Sequence, residues 1–323
     1  MQDNENLNRQ DLKKIRLGYF AVIASAILFS AKSVFIKMCY AQGTAPVVLM
    51  ALRAGYALPF FLAMAFIPMF LPKSKRPNPL GSGDLWIIFG LGLLGYYLAS
   101  VFDVVGLAFI SAGSERLILY LYPSMVVIFS ALIFRTTIPR YMVLPIILCY
   151  AGIALSFGSE ISAITGGRPY FGGFLVLMSA ICYALFLVGH GRMVHTVGPQ
   201  RLAAYSMLAA TVAVAIQFLV LHPLSDLAQP LKVQWIAMIT GIVCNVIPVY
   251  LFGYGVKQIG SGKAAVLSSV GPVSTYGLAA FLLGERPGIL QVTGLALVLI
   301  GGYLLSGGNN LNWFRKFRTQ ISS

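Results

Sequence analysis

Apolar residues in this chain do not recur at the spacing of a one-sided helix. They come in blocks of about twenty, separated by short polar or glycine- and proline-bearing stretches. Blocks of that length suit α-helices crossing a hydrocarbon core about 30 Å thick, and they lack the alternation that a membrane β-barrel needs. The pattern predicts ten spans, at roughly 17 to 40, 45 to 71, 85 to 109, 112 to 134, 139 to 157, 171 to 192, 199 to 221, 233 to 256, 262 to 283 and 288 to 306. The fold class expected is therefore an all-α membrane protein. With 58% hydrophobic and 10% charged residues, a water-soluble fold could not hide so much apolar surface.

The net charge of +14 changes meaning once the charges are placed. With the N-terminus inside, the inner ends of the spans collect Arg9, Lys13, Lys14, Arg16, Lys73, Lys75, Arg76, Arg135, Arg140, Arg192, Arg201, Lys257, Lys263, Arg315, Lys316 and Arg318. The outer ends collect Arg116, Arg168, Lys232 and Arg286. Sixteen against four predicts a multi-pass protein of the cell (inner) membrane with both termini cytoplasmic. The basic excess is thus an orientation signal, and no nucleic-acid partner is expected. A polar stretch before the first block, and that block's length, argue against a cleavable signal peptide. Cys39, Cys149, Cys182 and Cys244 share no CxxC spacing and read as packing residues, so neither a disulfide framework nor a metal site is expected.

The two halves repeat. An offset of 149 pairs Trp86 with Trp235, Gly92 with Gly241, Gly106 with Gly255, Gly113 with Gly262, Pro123 with Pro272, Gly152 with Gly301 and Gly158 with Gly307, without a gap. Farther forward, "SAILFSA" and "SAICYAL" match after a five-residue shift. Each repeat holds five spans, an odd number, so the second enters the membrane inverted. The organisation expected is a cytoplasmic segment 1–16, a first repeat 17–158, an outer linker 159–170, a second repeat 171–307 and a basic cytoplasmic tail 308–323. In such proteins a substrate site lies near the midplane between the units.

The stretches "ISAGSERLILYLYPSMVVIFSALI" and "SGKAAVLSSVGPVSTYGLAAFLLGERPGILQVTGLALVLIGGYLL" resemble the paired EamA-type repeats of the drug/metabolite transporter superfamily, from about Gly18 to Ser306. The most specific element is the turn Gly284-Glu285-Arg286-Pro287; the first repeat has Arg135-Thr136-Thr137-Ile138 there. The resemblance implies ten helices, a central cavity and export or exchange of small metabolites.

Charges at depth are rare in spans and usually face a bundle interior or an aqueous cavity. At a rise of about 1.5 Å per residue, Lys32 and Arg53 lie roughly 12 Å in from the outer side and Asp103 roughly 9 Å, with Glu115 slightly shallower. They line an outward cavity, or they form a fixed ion pair, or a pair that forms in the empty carrier opens for substrate. Lys37 reads as an interfacial anchor. Tyr96, Ser100 and Asp103 fall at i, i+4 and i+7, and Glu115, Leu119 and Tyr122 do the same on the next span. Asn245, the equivalent of Tyr96, is the strongly polar group in the middle of span 8. Pro123 and Pro272 predict matched helix breaks, whereas Gly90, Gly92, Gly95, Gly301 and Gly302 predict close helix approach.

Candidate substrate-binding residues are therefore Lys32, Arg53, Tyr96, Ser100, Asp103, Glu115, Tyr122 and Asn245. Lys32 and Arg53 would meet a carboxylate, and Asp103 or Glu115 an amine or a proton. This makes amino acids or related metabolites the leading class, with a broad-specificity drug carrier or a channel as alternatives. Enzyme chemistry finds little support: "GSGK" at 260 to 263 lacks the rest of a phosphate loop, and His190 and His195 suit neither a zinc pair nor a nucleophile's base. No cofactor is expected.

Overall fold

The structure, a computed structural model, describes residues 2–67, 80–163 and 168–306. Of the basic residues counted on the inner side, Arg9, Lys13, Lys73, Lys75, Arg76, Arg192, Arg315, Lys316 and Arg318 fall outside the described residues or side chains, as does the tail 308–323.

The described residues form helices joined by short turns. Span 1 is α1 (Gln2–Tyr40) and span 2 is α2 (Pro46–Phe66). Span 3 is α3 (Ser82–Gly92), a π-helical turn over Leu93–Leu98, and α4 (Ala99–Gly106). Span 4 is split into α5 (Ala112–Leu119) and α6 (Tyr122–Ile133), and span 5 is α7 (Arg140–Ala163). Spans 6 and 7 are α8 (Pro169–Val197) and α9 (Pro199–Leu221). Span 8 is α10 (Leu231–Gly241), a second π turn over Ile242–Val246, and α11 (Ile247–Ile259). Span 9 is split into α12 (Ser261–Leu267) and α13 (Val270–Leu283), and span 10 is α14 (Ile289–Ser306). Eight of these spans are long and apolar enough to cross a membrane by themselves, and two shorter apolar helices, Val270–Leu283 and Ile289–Leu305, complete the ten. Proline at the first turns of α2, α6 and α9 costs no hydrogen bond, because those N–H groups have no intrahelical partner.

The repeat is visible as geometry. The π turns begin at Leu93 and Ile242, 149 apart, and the breaks in spans 4 and 9 fall at Tyr120–Leu121 and Ser268–Ser269. Two contacts join a residue to its own equivalent: Tyr120 Oη and Ser269 Oγ are 2.7 Å apart, and Cys149 Sγ lies 3.8 Å from the Val298 carbonyl oxygen. Residues related by a two-fold can touch only on its axis, so the axis runs beside these pairs, between α7 and α14. Trp86 and Trp235 are both exposed near the N-terminal starts of their spans, which in an inverted repeat puts these interfacial aromatics at opposite ends of the bundle.

Around the axis the repeats exchange helices. α1 packs on α11 and α13, and its equivalent α8 packs on α4 and α6. Glycines set both crossings. A Cβ on Gly255 would lie 2.9 Å from the Gly18 carbonyl oxygen, and one on Gly106 would lie 2.9 Å from that of Gly172. Gly18 and Gly172 are 154 apart, the five-residue shift seen at the front of the repeats. Gly92, Gly95, Gly301 and Gly302 also sit at close contacts, whereas Gly90 faces open space and takes no part. Its place explains the difference, since Gly90 is on the exposed face of α3.

Gly241 packs against α2, where a Cβ would stand 2.6 Å from the carbonyl oxygen of Arg53. Gly241→Val should therefore push α10 off α2 and cost about 1–3 kcal/mol, read as a lower melting temperature of the purified protein. Gly90→Ala should leave melting unchanged or slightly raised. Equal melting of Gly241→Val and the unaltered protein would contradict this packing.

Candidate functional site

The end of the bundle where α1 finishes is called here the upper end. Buried charge gathers in its half. Lys32 on α1 donates to Asp103 Oδ2 on α4 at 2.7 Å, and Asp103 is 2% exposed. On α5, Glu115 is fully buried, 4.0 Å from Arg116 Nε. Arg116 Nη2 reaches back to α1, donating to the Phe29 carbonyl and to Ser33 Oγ, each at 2.9 Å. The Asp103 and Glu115 carboxyls lie within hydrogen-bonding reach of each other. No donor reaches Asp103 Oδ1 or either oxygen of Glu115. Buried acceptors in that condition are costly, and a proton shared between the two carboxyls is the donor that such a pair can hold.

Beside this cluster is a cavity of about 60 Å³ between spans 2, 3, 7 and 8. It brings together four of the residues singled out in the sequence: Arg53, Tyr96, Ser100 and Asn245. Tyr96 and its equivalent Asn245 each sit on a π turn, so the two matched irregularities present their side chains to one space. Such turns occur preferentially at functional sites. Thr211 on α9 adds a hydroxyl, and Met50, Ala54, Phe61 and Val214 supply apolar wall. Arg53 is 8% exposed, and its Nε and Nη1 have no hydrogen-bond partner. A guanidinium with free donors in a small polar cavity is matched to an anion, above all a carboxylate. The space holds a few waters and is well below the ~150 Å³ that accommodates a benzene, so a metabolite requires the helices to part.

The remaining candidates lie elsewhere. Lys32 and Asp103 are engaged with each other and do not line the cavity. Spacing put Asp103 on the face of Tyr96 and Ser100; in regular helix three residues beyond Ser100, it is instead taken up by Lys32 from α1. Tyr122 is separated from Glu115 by the break at Tyr120–Leu121, and it packs on Tyr183 with ring centroids 5.3 Å apart. Tyr183 stacks on Phe186, which also meets Tyr96 and His190, giving an aromatic layer on the lower side of the cavity.

At the upper end the start of α5 is clamped. Glu160, on α7, accepts from the Ser111 N–H at 2.6 Å and from Ser111 Oγ at 2.9 Å. Glu285 accepts from the Ala112 N–H at 3.2 Å and stands 3.7 Å from Lys37 Nζ. Carboxylates suit this place, where a helix N-terminus offers unpaired N–H groups and positive potential. Lys37 is thus tied to the second repeat rather than being a free interfacial anchor. The ion-pair partner comes from a turn 248 positions away. At the equivalent turn of the first repeat, Arg135 takes the left-handed conformation of Gly284, with φ of 54° against 69°, and Thr136 replaces Glu285. Thr136 Oγ1 is buried without a partner.

Sequence reasoning missed Thr211 and Glu160. Thr211 carries no signal in a single sequence, since its equivalent is Leu62. Glu160, an acid a few residues past the predicted end of span 5, was placed in the linker because that span is longer than its apolar block.

Comparison with known proteins agrees with this architecture. The model of the EamA-like transporter family matches residues 16–158 and again 170–307. An uncharacterized transporter, YcbK, of Bacillus subtilis (strain 168) is 30% identical over 297 residues, covering 89% of this chain and 93% of its own length. Another from the same organism, YyaM, is 25% identical over 80% of this chain and 83% of its own. An uncharacterized transporter of Archaeoglobus fulgidus is 24% identical over 89% and 95%. One crystal structure superposes with a TM-score of 0.61 at 17% identity, covering 89% of this chain and 95% of the other. At that identity the likeness shows the fold alone.

The Lys32–Asp103 pair gives a direct expectation. Lys32→Met strands a buried carboxylate and should cost about 3–5 kcal/mol, whereas Lys32→Met with Asp103→Leu should recover most of it. Thermal melting of the two variants checks this; equal losses in single and double variants would mean that the two charges do not compensate each other.

Proposed function

We propose a specific carrier role from one premise: this chain belongs to the EamA-like transporter family. Within that family we assign it as a secondary transporter, an exporter or exchanger working by alternating access, for a small polar or amphipathic metabolite bearing a carboxylate. Amino acids and related compounds are the leading class. The observation that carries the reading is Arg53, a buried guanidinium with two unpartnered nitrogens on a cavity shared with Tyr96, Ser100, Thr211 and Asn245. Arg53 takes the carboxylate, Ser100, Thr211 and Asn245 offer hydrogen bonds to the rest of the cargo, and Tyr96 closes the lower side with Phe186. Lys32 is held by Asp103 in the empty carrier and is released to the cargo when the upper half opens. The charge asymmetry supports a cell-membrane protein with both termini cytoplasmic, which makes the upper end the outer one.

A second reading, of the driving force, rests on Asp103 and Glu115. Two neighbouring buried carboxyls, of which Asp103 Oδ1 and both oxygens of Glu115 lack a donor, can hold one proton between them. Water entering with the cargo would release it, so cargo and proton exchange.

Arg53→Met keeps the apolar volume of the side chain and removes the anion site. In proteoliposomes it should lower kcat/KM for the transported amino acid at least about tenfold, the scale of a lost charge-assisted hydrogen bond, with melting retained. Unchanged kinetics would remove the carboxylate reading. Under proton exchange, a pH gradient alone should drive accumulation in the unaltered protein, and this should disappear in Glu115→Gln; indifference to the gradient counts against coupling.

A further inference from the structure

The charges of the upper half pair off and leave one cation over. Lys32 holds Asp103 at 2.7 Å, Arg116 stands 4.0 Å from Glu115, and Lys37, nearer the mouth, stands 3.7 Å from Glu285. Glu160 is met by the N-terminus of α5. Arg53 is met by no acid: among the described residues no carboxylate comes within ion-pair distance of it, and it is buried. The carboxylate that acts on it across the bundle is Asp103, which is already committed to Lys32. Opening that pair for cargo moves the charges without changing their sum. A proton held between Asp103 and Glu115 removes a negative charge and only enlarges the excess. The second repeat restores nothing, since Phe186, Phe252, Ala264, Ala265 and Leu202 stand at the equivalent positions.

The cavity wall has the same bias. Tyr96, Ser100, Thr211 and Asn245 are neutral, and among the described residues that line the space Arg53 alone is charged. A buried charge without a partner is costly, and a ligand of opposite charge removes that cost. A carboxylate alone supplies what is missing. A zwitterion brings a cation of its own, one carbon from the carboxylate and therefore beside Arg53. There hydroxyl and amide oxygens can accept the N–H groups of an ammonium but cannot balance its charge.

We propose that the site selects cargo of net negative charge: carboxylates without a free ammonium, of the 2-hydroxy acid, 2-oxo acid or N-acylated amino acid type, over the zwitterion of the same side chain. This rests on the carboxylate reading of Arg53 and narrows amino acids and related compounds to their deaminated and acylated members. Arg53 answers the charge. Ser100, Thr211 and Asn245 answer the hydroxyl, keto or amide group that stands in place of the ammonium.

Matched pairs of amino acid and 2-hydroxy acid, carrying the side chains of alanine, valine, leucine and phenylalanine, provide the test, because ammonium and hydroxyl are close in size and differ by a whole charge. Binding at neutral pH is read from the rise in melting temperature of the purified protein with ligand concentration. In the pairs that bind, the hydroxy acid should bind at least about tenfold more tightly, a modest share of the effect of leaving a buried charge unpaired. Its advantage should vanish in Asn245→Asp, which places a carboxylate in the cavity. An advantage that persists in Asn245→Asp or in Arg53→Met would have its origin elsewhere and overturn the proposal. Equal or tighter binding by the amino acids, abolished in Arg53→Met, overturns the selection by net charge while leaving the Arg53 site standing, and it does so whether or not Asn245→Asp folds. Absence of binding by every member, in the unaltered protein and in Arg53→Met alike, overturns both.

Discussion

The hydrogen bond between Tyr120 and Ser269 joins a residue to its own copy, and the architecture depends on the constraint that it expresses. A contact of that kind exists only where the two-fold passes, so it ties the breaks of spans 4 and 9 to the centre of the molecule. The Cys149–Val298 contact repeats the statement on α7 and α14. From there the rest follows by symmetry: glycine crossings come in pairs, the π turns come in pairs, and each repeat lends its first helix to the other. Neither half buries its own apolar faces without its partner, which explains why two five-helix units form one bundle.

Charge departs from that symmetry. Lys32, Asp103, Glu115, Arg116 and Arg53 all belong to the first repeat, while their counterparts are Phe186, Phe252, Ala264, Ala265 and Leu202. The scaffold is therefore two-fold, but its two barriers differ in chemistry. Above the cavity the closure is ionic, made of charges whose burial is tolerated because they face one another. Below it the closure is aromatic, with Phe186 at the centre and only 1% exposed. An ionic barrier is dismantled by water and by a competing charge; an aromatic one is dismantled by displacement. On the carboxylate reading proposed above, cargo acts directly on the first and only mechanically on the second.

Much of the fold was legible in the sequence because a bilayer admits few solutions: long apolar blocks must be helices, and an odd number of them per repeat must invert the copy. Residues that do not interchange freely, such as Trp86, Gly106 and Pro123, then marked the register. The site was legible in part. Arg53, Tyr96, Ser100 and Asn245 converge on one cavity, and depth was enough to flag Arg53. Rotation was not readable. Asp103 is taken up by Lys32, a partner on α1 that spacing within span 3 does not reveal. The break before Tyr122 was expected from Pro123, but its consequence, that Tyr122 and Glu115 diverge, depends on how far the two helical pieces are turned. Lys37 found a partner in a distant turn, which spacing along the chain could not reveal.

The clamp at the start of α5 has a consequence of its own. Glu285 and Glu160 fasten one mouth of the bundle, and the matching turn at the other mouth has Thr136 with its hydroxyl unsatisfied. A perfectly duplicated machine would idle equally in its two orientations, since the copies would exchange roles at no cost. Among the described residues the fastening is one-sided, which breaks that degeneracy: each 1.4 kcal/mol or so of difference between the mouths shifts the resting populations about tenfold. Under the alternating access proposed above, the duplication supplies the means of facing both ways, and these carboxylates set which door stays shut when nobody is passing through.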